Sequence, residues 1–309
     1  MPQQHAADRE AANGRLDGNQ AVGVKPPLFD YIVADTVAEA VAALAADPDA
    51  KVLAGGQSLV PMLAFRLVRP STLIDLARIP GLANVEHTGD SLQIGATARQ
   101  LAVERSAVVS RFCPLIVEGL QKVSHPQIRS RATVGGSLAH ADPAAELPAV
   151  AVALDAKLTL TGVEGSRVVD ARDFFEGVFA TALRPGEILV TATFPDAPEG
   201  SGAACVEIAR RPGDYALCGA VAQVTLRDGV AVECRLALFG IGDRPVRAES
   251  VEAAIQGTTP TPASLREAGA LAREGLEPFD DVHATAAYRL EVVAAVAERA
   301  LAQALARAA

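Results

Sequence analysis

The 309-residue chain contains no tryptophan, three tyrosines and four cysteines, and aromatic residues make up only 4% of it. Cys113, Cys205, Cys218 and Cys234 are scattered without Cys-x-x-Cys spacing. They therefore form no disulfide framework, and they cannot supply the grouped thiolates of an iron–sulfur cluster. The expected reading is four buried free thiols in a reducing compartment. No His, Cys, Asp and Glu set has the spacing of a metal site. Basic clusters are absent and the net charge is −9, which excludes nucleic acid as the expected partner, because phosphate contacts need clustered Lys and Arg. No apolar run reaches membrane-spanning length, and Met1 to Gln20 has no apolar core of a secretory leader. The cytoplasm is the expected compartment.

What is present is a repeated short grammar. Lys51-Val52-Leu53-Ala54-Gly55-Gly56-Gln57-Ser58-Leu59 is echoed by Thr133-Val134-Gly135-Gly136-Ser137-Leu138. Each copy has β-favouring residues, a glycine pair, and then a hydroxyl or amide residue. Glycine pairs let successive backbone N–H groups turn inward and form a nest for an anion, with Gln57, Ser58, Thr133 and Ser137 as neutral donors. Two nests suggest one ligand with two phosphates. Neither copy is a nicotinamide-dinucleotide fingerprint, since Gly-x-Gly-x-x-Gly is missing, and neither is a P-loop, since no Gly-Lys-Ser/Thr follows.

Phe29–Val33, Lys51–Leu53 and Thr72–Leu76 read as strands. They alternate with helices over Val37–Ala46, capped by Thr36, and Ser58–Phe65, capped by Ser58. This predicts a small parallel α/β unit in which the first nest lies between a strand end and a helix start. Ser91–Gly95, Lys157–Thr161, Val168–Asp170 and Ile188–Phe194 read as strands of an antiparallel layer. One or two helices over Leu101–Val123, broken at Pro114, and a buried helix over Glu146–Leu154 accompany that layer. Ala203–Arg210, Cys218–Leu226 and Val230–Phe239 read as strands, the last two joined at Asp228-Gly229, a strong hairpin signal. Three helices follow, near residues 247–256, 262–275 and 284–307. Residues 1–27 lack periodicity and are expected to be a mobile extension.

The first stretch, continued through Val60-Pro61-Met62-Leu63 and Leu73-Ile74-Asp75-Leu76, resembles the FAD-binding subunit of the molybdenum hydroxylases. That group contains carbon monoxide dehydrogenase, xanthine dehydrogenase and the nicotine and caffeine dehydrogenases. The run from His125 to Arg129, then Thr133 to Ser137 and Ala141 to Pro148, is similar to the family's second FAD motif. Arg210-Arg211-Pro212-Gly213-Asp214-Tyr215-Ala216 lies where the family places residues beside the flavin ring.

The resemblance implies an α+β fold. A two-subdomain FAD-binding domain of the vanillyl-alcohol-oxidase-like (PCMH) kind spans 28–200, divided near 28–88 and 89–200, and a sheet-plus-helices domain spans 201–309. It implies FAD contacts from Leu53 through Leu59 and from Thr133, Val134, Gly135, Gly136 and Ser137. Glu146 would reach the ribose or adenine side, Leu189 would meet the adenine, and Tyr215 would lie against the isoalloxazine. A helix-capping role for Glu146 is the alternative. Glu207 departs from the lysine of carbon monoxide dehydrogenase relatives, which leaves the flavin potential open. His125 and His140 flank the second motif and read as structural.

The implied function is electron transfer from 2Fe-2S clusters on a small partner, through FAD, to an external acceptor. A large partner would hold the molybdenum cofactor, in a dimer of heterotrimers. A self-contained FAD oxidoreductase and a cofactor-free assembly subunit are the alternatives.

Overall fold

A computed structural model describes residues 25–308, so the extension expected over residues 1–27 lies almost wholly outside the described residues. The described chain opens with β1 (Asp30–Val33), α1 (Val37–Ala46), β2 (Lys51–Leu53), α2 (Leu59–Ala64) and β3 (Thr72–Asp75). The three strands are parallel in the order β1-β3-β2. Thr36 caps α1 by accepting the Glu39 N–H at 3.1 Å. Ala40 and Val41 of α1 are buried in a small core with Ile74, Leu76 and Ile79. Ser58 does not cap α2 as expected: its backbone is already helical, at φ −99° and ψ −47°, and its side chain accepts no cap bond.

The chain then forms β4 (Val85–Thr88) and β5 (Ser91–Gly95), followed by six helices. These are α3 (Gln100–Glu104), α4 (Ala107–Phe112), α5 (Pro114–Leu120), α6 (Pro126–Arg129), α7 (Val134–His140) and α8 (Glu146–Ala153). Three helices occupy the span read as one or two. Pro114 starts α5, as expected of a residue without an N–H, and Ser106 begins α4 by accepting the Val109 N–H. Next come β6 (Lys157–Gly162), β7 (Gly165–Asp170), α9 (Ala171–Phe174), β8 (Phe175–Gly177), β9 (Ala180–Thr181) and β10 (Ile188–Pro195). The larger sheet runs β4-β5-β10-β6-β7 with every neighbour antiparallel. All eight residues of α8 are buried, which fits the absence of any polar stripe in Leu147–Ala153.

The remaining chain forms β11 (Ser201–Ala209), β12 (Ala216–Arg227), β13 (Val230–Phe239), β14 (Val246–Arg247), α10 (Glu249–Ile255), α11 (Pro262–Leu271) and α12 (Ala286–Ala308). These strands are antiparallel in sequence order. Asp228 and Gly229 both have positive φ, 52° and 78°, as a two-residue type I′ hairpin requires. Val293, Val296, Ala297, Ala300, Leu301 and Ala304 recur at helical spacing along α12 and are buried with residues of β12 and β13. Residues with alternate parity on β11, β12 and β13, including Cys205, Val221 and Ala237, join the core of α5 and α8 instead. The third sheet is thus covered on both faces.

Candidate functional site

Ala54–Ser58 cross from the end of β2 to the start of α2. Leu53 is held by the Leu76 N–H, which donates to its carbonyl at 3.1 Å. Gly56 turns the chain with φ +73°, a conformation that side chains with a Cβ rarely adopt. Among the described residues, no acceptor meets the backbone N–H groups of Ala54, Gly55, Gly56, Gln57 or Ser58. The Gln57 side-chain amide folds back and donates to the Gly55 carbonyl at 3.0 Å. The first glycine pair therefore supplies a run of open donors, as a nest should.

The second pair behaves differently. Val134–His140 is helical from its first residue, and Thr133 caps it by accepting the Gly136 N–H at 3.1 Å. The Gly135 N–H donates to the Ala96 carbonyl at 2.9 Å and the Ser137 N–H to the Thr133 carbonyl at 3.1 Å. These amides are already bonded, so the second motif is no nest. Its glycines permit close approach: a Cβ on Gly135 would stand 2.5 Å from the Ala96 Cβ, and one on Gly136 would meet Thr133 Oγ1 at 2.6 Å and the Ala54 Cβ at 3.5 Å. From the other side, a Cβ on Gly55 would strike the Arg131 carbonyl at 2.5 Å. The two motifs are thus neighbours, with Thr133 buried between them at 2% exposure.

The third motif joins them. Gly213, at φ +87°, leaves no room for a Cβ, which would come within 2.7 Å of His125 Cε1. Tyr215, two residues on, is 66% exposed. Protein packed near its hydroxyl, and then the negative charges of Asp142 and Glu146, push its phenol above the usual range. His140 packs against Phe179 with ring centroids 4.8 Å apart and planes tilted by 32°, and burial lowers its pKa. Leu189 is buried in β10 beside a register shift, next to Val190, whose carbonyl accepts the Ala96 N–H at 2.9 Å. Leu189 therefore borders the second motif through Ala96.

Glu146 is the first residue of α8, and the helix carries no side-chain cap. Its burial, followed by the charge of Glu207, raises its pKa to about 8. Glu207 on β11 is pushed up to about 7 by burial, against the pull of Lys122. The two acids lie more than fifty positions apart in sequence, yet the charge of Glu207 bears on Glu146, and both bear on Cys205.

Arg129 carried no role in the sequence reading, although its motif did. It is 7% exposed and binds Glu104 through Nε at 2.7 Å and Nη2 at 3.2 Å. Its Nη1 donates to the carbonyls of Val123 at 2.8 Å and Ser124 at 3.1 Å, fixing the turn that leads to His125. Only an arginine forks in this way, and that was the available signal.

Open amides on Ala54–Ser58, neutral hydroxyls on the adjoining helix and an exposed aromatic ring fit a dinucleotide held by dipoles. Among the described residues, no three His, Cys, Asp or Glu side chains form a metal cluster, and the four cysteines are buried and free. No described helix is long and apolar enough to cross a membrane.

Both parts of the chain match known families. Residues 27–197 match the family described as FAD binding domain in molybdopterin dehydrogenase, and residues 203–304 match the CO dehydrogenase flavoprotein C-terminal domain. The chain is 43% identical to the 6-hydroxypseudooxynicotine dehydrogenase complex subunit alpha of Paenarthrobacter nicotinovorans, over 92% of this chain and 97% of that one. It is 36% identical to the carbon monoxide dehydrogenase medium chain of Afipia carboxidovorans, over 92% and 99%. Carbon monoxide dehydrogenase from Hydrogenophaga pseudoflava superposes with a TM-score of 0.90 at 36% identity, over 92% of this chain and 99% of that one. Quinoline 2-oxidoreductase from Pseudomonas putida gives a TM-score of 0.88 at 36% identity, over 91% and 98%. The chain belongs to the family of FAD-binding flavoprotein subunits of molybdenum-containing dehydrogenases.

Proposed function

We propose that this chain holds FAD across its three motifs and passes electrons from 2Fe-2S clusters on a small partner subunit to an external acceptor. Substrate oxidation then belongs to a large partner carrying the molybdenum cofactor. The observation that carries this reading is the meeting of Gly55 with Arg131, of Gly136 with Ala54 and of Gly213 with His125. These contacts support a single binding surface made by three distant segments.

The open amides of Ala54–Ser58 would hold the diphosphate, with hydroxyls from Ser58, Thr133 and Ser137 beside them. Leu53, Leu59 and Val134 set the backbone that presents these groups. Leu189 would flank the adenine, and Tyr215 would lay its ring on the isoalloxazine. When bound, FAD accepts electrons singly or in pairs, which suits it to join one-electron clusters to a two-electron acceptor. The polypeptide binds, orients and shields that ring.

Relatives named for carbon monoxide, caffeine and nicotine pair a chain of this kind with very different substrates. That supports placing substrate choice on another subunit. The free, buried cysteines support a reducing compartment, the cytoplasm. A dimer of heterotrimers is the expected assembly.

The test is to purify the chain alone and beside its partners. Alone it should be yellow and redox-active toward dithionite yet inert toward substrate, and the partners should restore turnover. Substrate oxidation by the single chain would overturn the proposal.

A further inference from the structure

Strand β12 carries one residue more than β11 at the end where the third motif enters it. Ile208 faces Cys218 and Ala209 faces Ala216, so Leu217 has no partner across β11, and the pairing of β12 with β13 ends at Gly219 with Phe239. Leu217 is thus the extra residue of a β-bulge, two positions after Tyr215. Bulges of this kind re-aim the side chains beside them.

A buried arginine takes the carbonyl of that extra residue. Arg289, near the start of α12, is 4% exposed. Its Nη1 donates to the Leu217 carbonyl at 2.6 Å and to the Gly240 carbonyl, and its Nη2 donates to Asp281 Oδ2 at 2.6 Å. Gly240 is where the chain leaves β13, at φ +67°, and a Cβ there would stand 3.0 Å from the Ala216 carbonyl oxygen. The Gly240 N–H donates to the Pro143 carbonyl at 2.8 Å, which ties the same spot to the loop after the second motif. Asp281 is fixed in turn, because its Oδ1 accepts the His283 and Ala284 N–H groups at 2.8 and 2.9 Å. Phe279 covers the guanidinium, its ring centroid 5.5 Å from Cζ. One planar fork therefore joins the third motif, the end of β13 and the segment before α12.

We propose that Arg289 is a positioning residue for the flavin: it holds the Leu217 bulge in place and so keeps Tyr215 aimed at the cofactor, without touching the cofactor itself. The inference rests on the FAD site proposed above and on Tyr215 lying against its ring. Side chains of a strand alternate between faces, so absorbing the extra residue into the ladder would carry Tyr215 to the opposite face. Arg289 opposes that slip, since two buried carbonyls stripped of their donor would be costly to leave unpaired.

The experiment is a double-mutant cycle of Arg289→Met and Tyr215→Ala in the FAD-loaded full chain, read by bound-flavin fluorescence and FAD affinity. Methionine keeps an unbranched stem and offers no donor. With Tyr215 present, Arg289→Met should brighten the bound flavin and weaken FAD binding roughly two- to tenfold, the limit set by loss of the stacked ring. With Tyr215→Ala already in place it should change neither, because the ring it aims is gone. Asp281→Asn keeps an acceptor for the His283 and Ala284 N–H groups and removes only the carboxylate from Arg289. It should brighten the flavin less, in the same direction, and it carries the test if Arg289→Met does not fold. A residue that serves folding alone would lower the denaturation midpoint and leave the flavin as dark as in the parent, and that result overturns the proposal. Equal effects of Arg289→Met in both backgrounds overturn it too. A parent chain that binds no FAD, or a Tyr215→Ala variant whose flavin is as dark as the parent's, overturns the reading beneath it.

Discussion

Gly55 lies against the backbone that enters the second motif: a Cβ there would stand 3.0 Å from the Thr133 amide nitrogen and 2.5 Å from the Arg131 carbonyl oxygen. No rotamer change relieves a clash with backbone. Gly55→Ala should therefore push the two motifs apart. Overpacking of this kind costs about 1–3 kcal/mol, so FAD affinity should fall roughly ten- to hundredfold in a fluorescence titration. Gly89→Ala is the control. Nothing lies within 4 Å of its Cβ position, and the strain that its φ of +66° puts on an alanine stays in the β4–β5 turn, so it should leave FAD binding unchanged. Equal losses in both variants would show that the contact between the motifs is irrelevant to the cofactor.

The buried fork of Arg129 on Glu104 supports the same region from below, with side chains only 8% and 15% exposed. Removing one member strands the other without a partner, which costs about 3–5 kcal/mol in such settings. Arg129→Ala should lower the denaturation midpoint accordingly. Arg129→Lys should recover only part of it, because an ammonium cannot serve Glu104 and two backbone carbonyls in one plane. Full recovery by lysine would reduce the site to a simple charge pair.

Folding stability should also follow the two buried acids. Their pKa values are raised in the fold, to about 8 and about 7, above the ordinary carboxyl value of 4.5. The unfolded chain thus loses these protons first as pH rises. Stability is fullest below about pH 4.5, declines as pH rises toward about 8, and levels off once the folded groups ionise too. Glu146→Gln should remove much of that decline. In FAD-free protein the variant should gain on the parent between about pH 5 and pH 8, by on the order of a few kcal/mol at the upper end. Parallel stability profiles for variant and parent would contradict the raised value.

Much of this fold could be read from local signals, and the site could be read only in pieces. The Asp228-Gly229 hairpin and the Thr36 cap each depend on a few adjacent residues, and both form where expected. The β1-β3-β2 order does not follow from the strands themselves, because it depends on which pairing buries Ile74. The second glycine pair was misread because its grammar matches a nest equally well. What turned it into a helix start is Thr133, whose hydroxyl takes the Gly136 amide, together with Ala96, which takes that of Gly135. The Glu146–Glu207 pair had no local signal at all, since it exists only where α8 packs against the third sheet.

Tyr215 gives the most direct test of where the flavin ring lies. A tyrosine left 66% exposed at the start of a well-buried strand covers little of the core, while its neighbour Ala216 is buried. Its ring face is therefore available to a ligand. Stacking on a flat conjugated ring is worth about 0.5–1.5 kcal/mol beyond area burial and quenches flavin fluorescence on contact. Tyr215→Phe keeps the face and should retain affinity, but a phenyl ring is much harder to oxidise than a phenol, so the bound flavin should brighten. Tyr215→Ala should weaken FAD binding roughly two- to tenfold and brighten the bound flavin. Because so exposed a side chain contributes little to folding, the denaturation midpoint should stay within about 0.5 kcal/mol of the parent in both variants. If bound flavin stays equally dark in Tyr215→Ala, the ring lies elsewhere, and the third motif serves the fold through Gly213 and His125 alone.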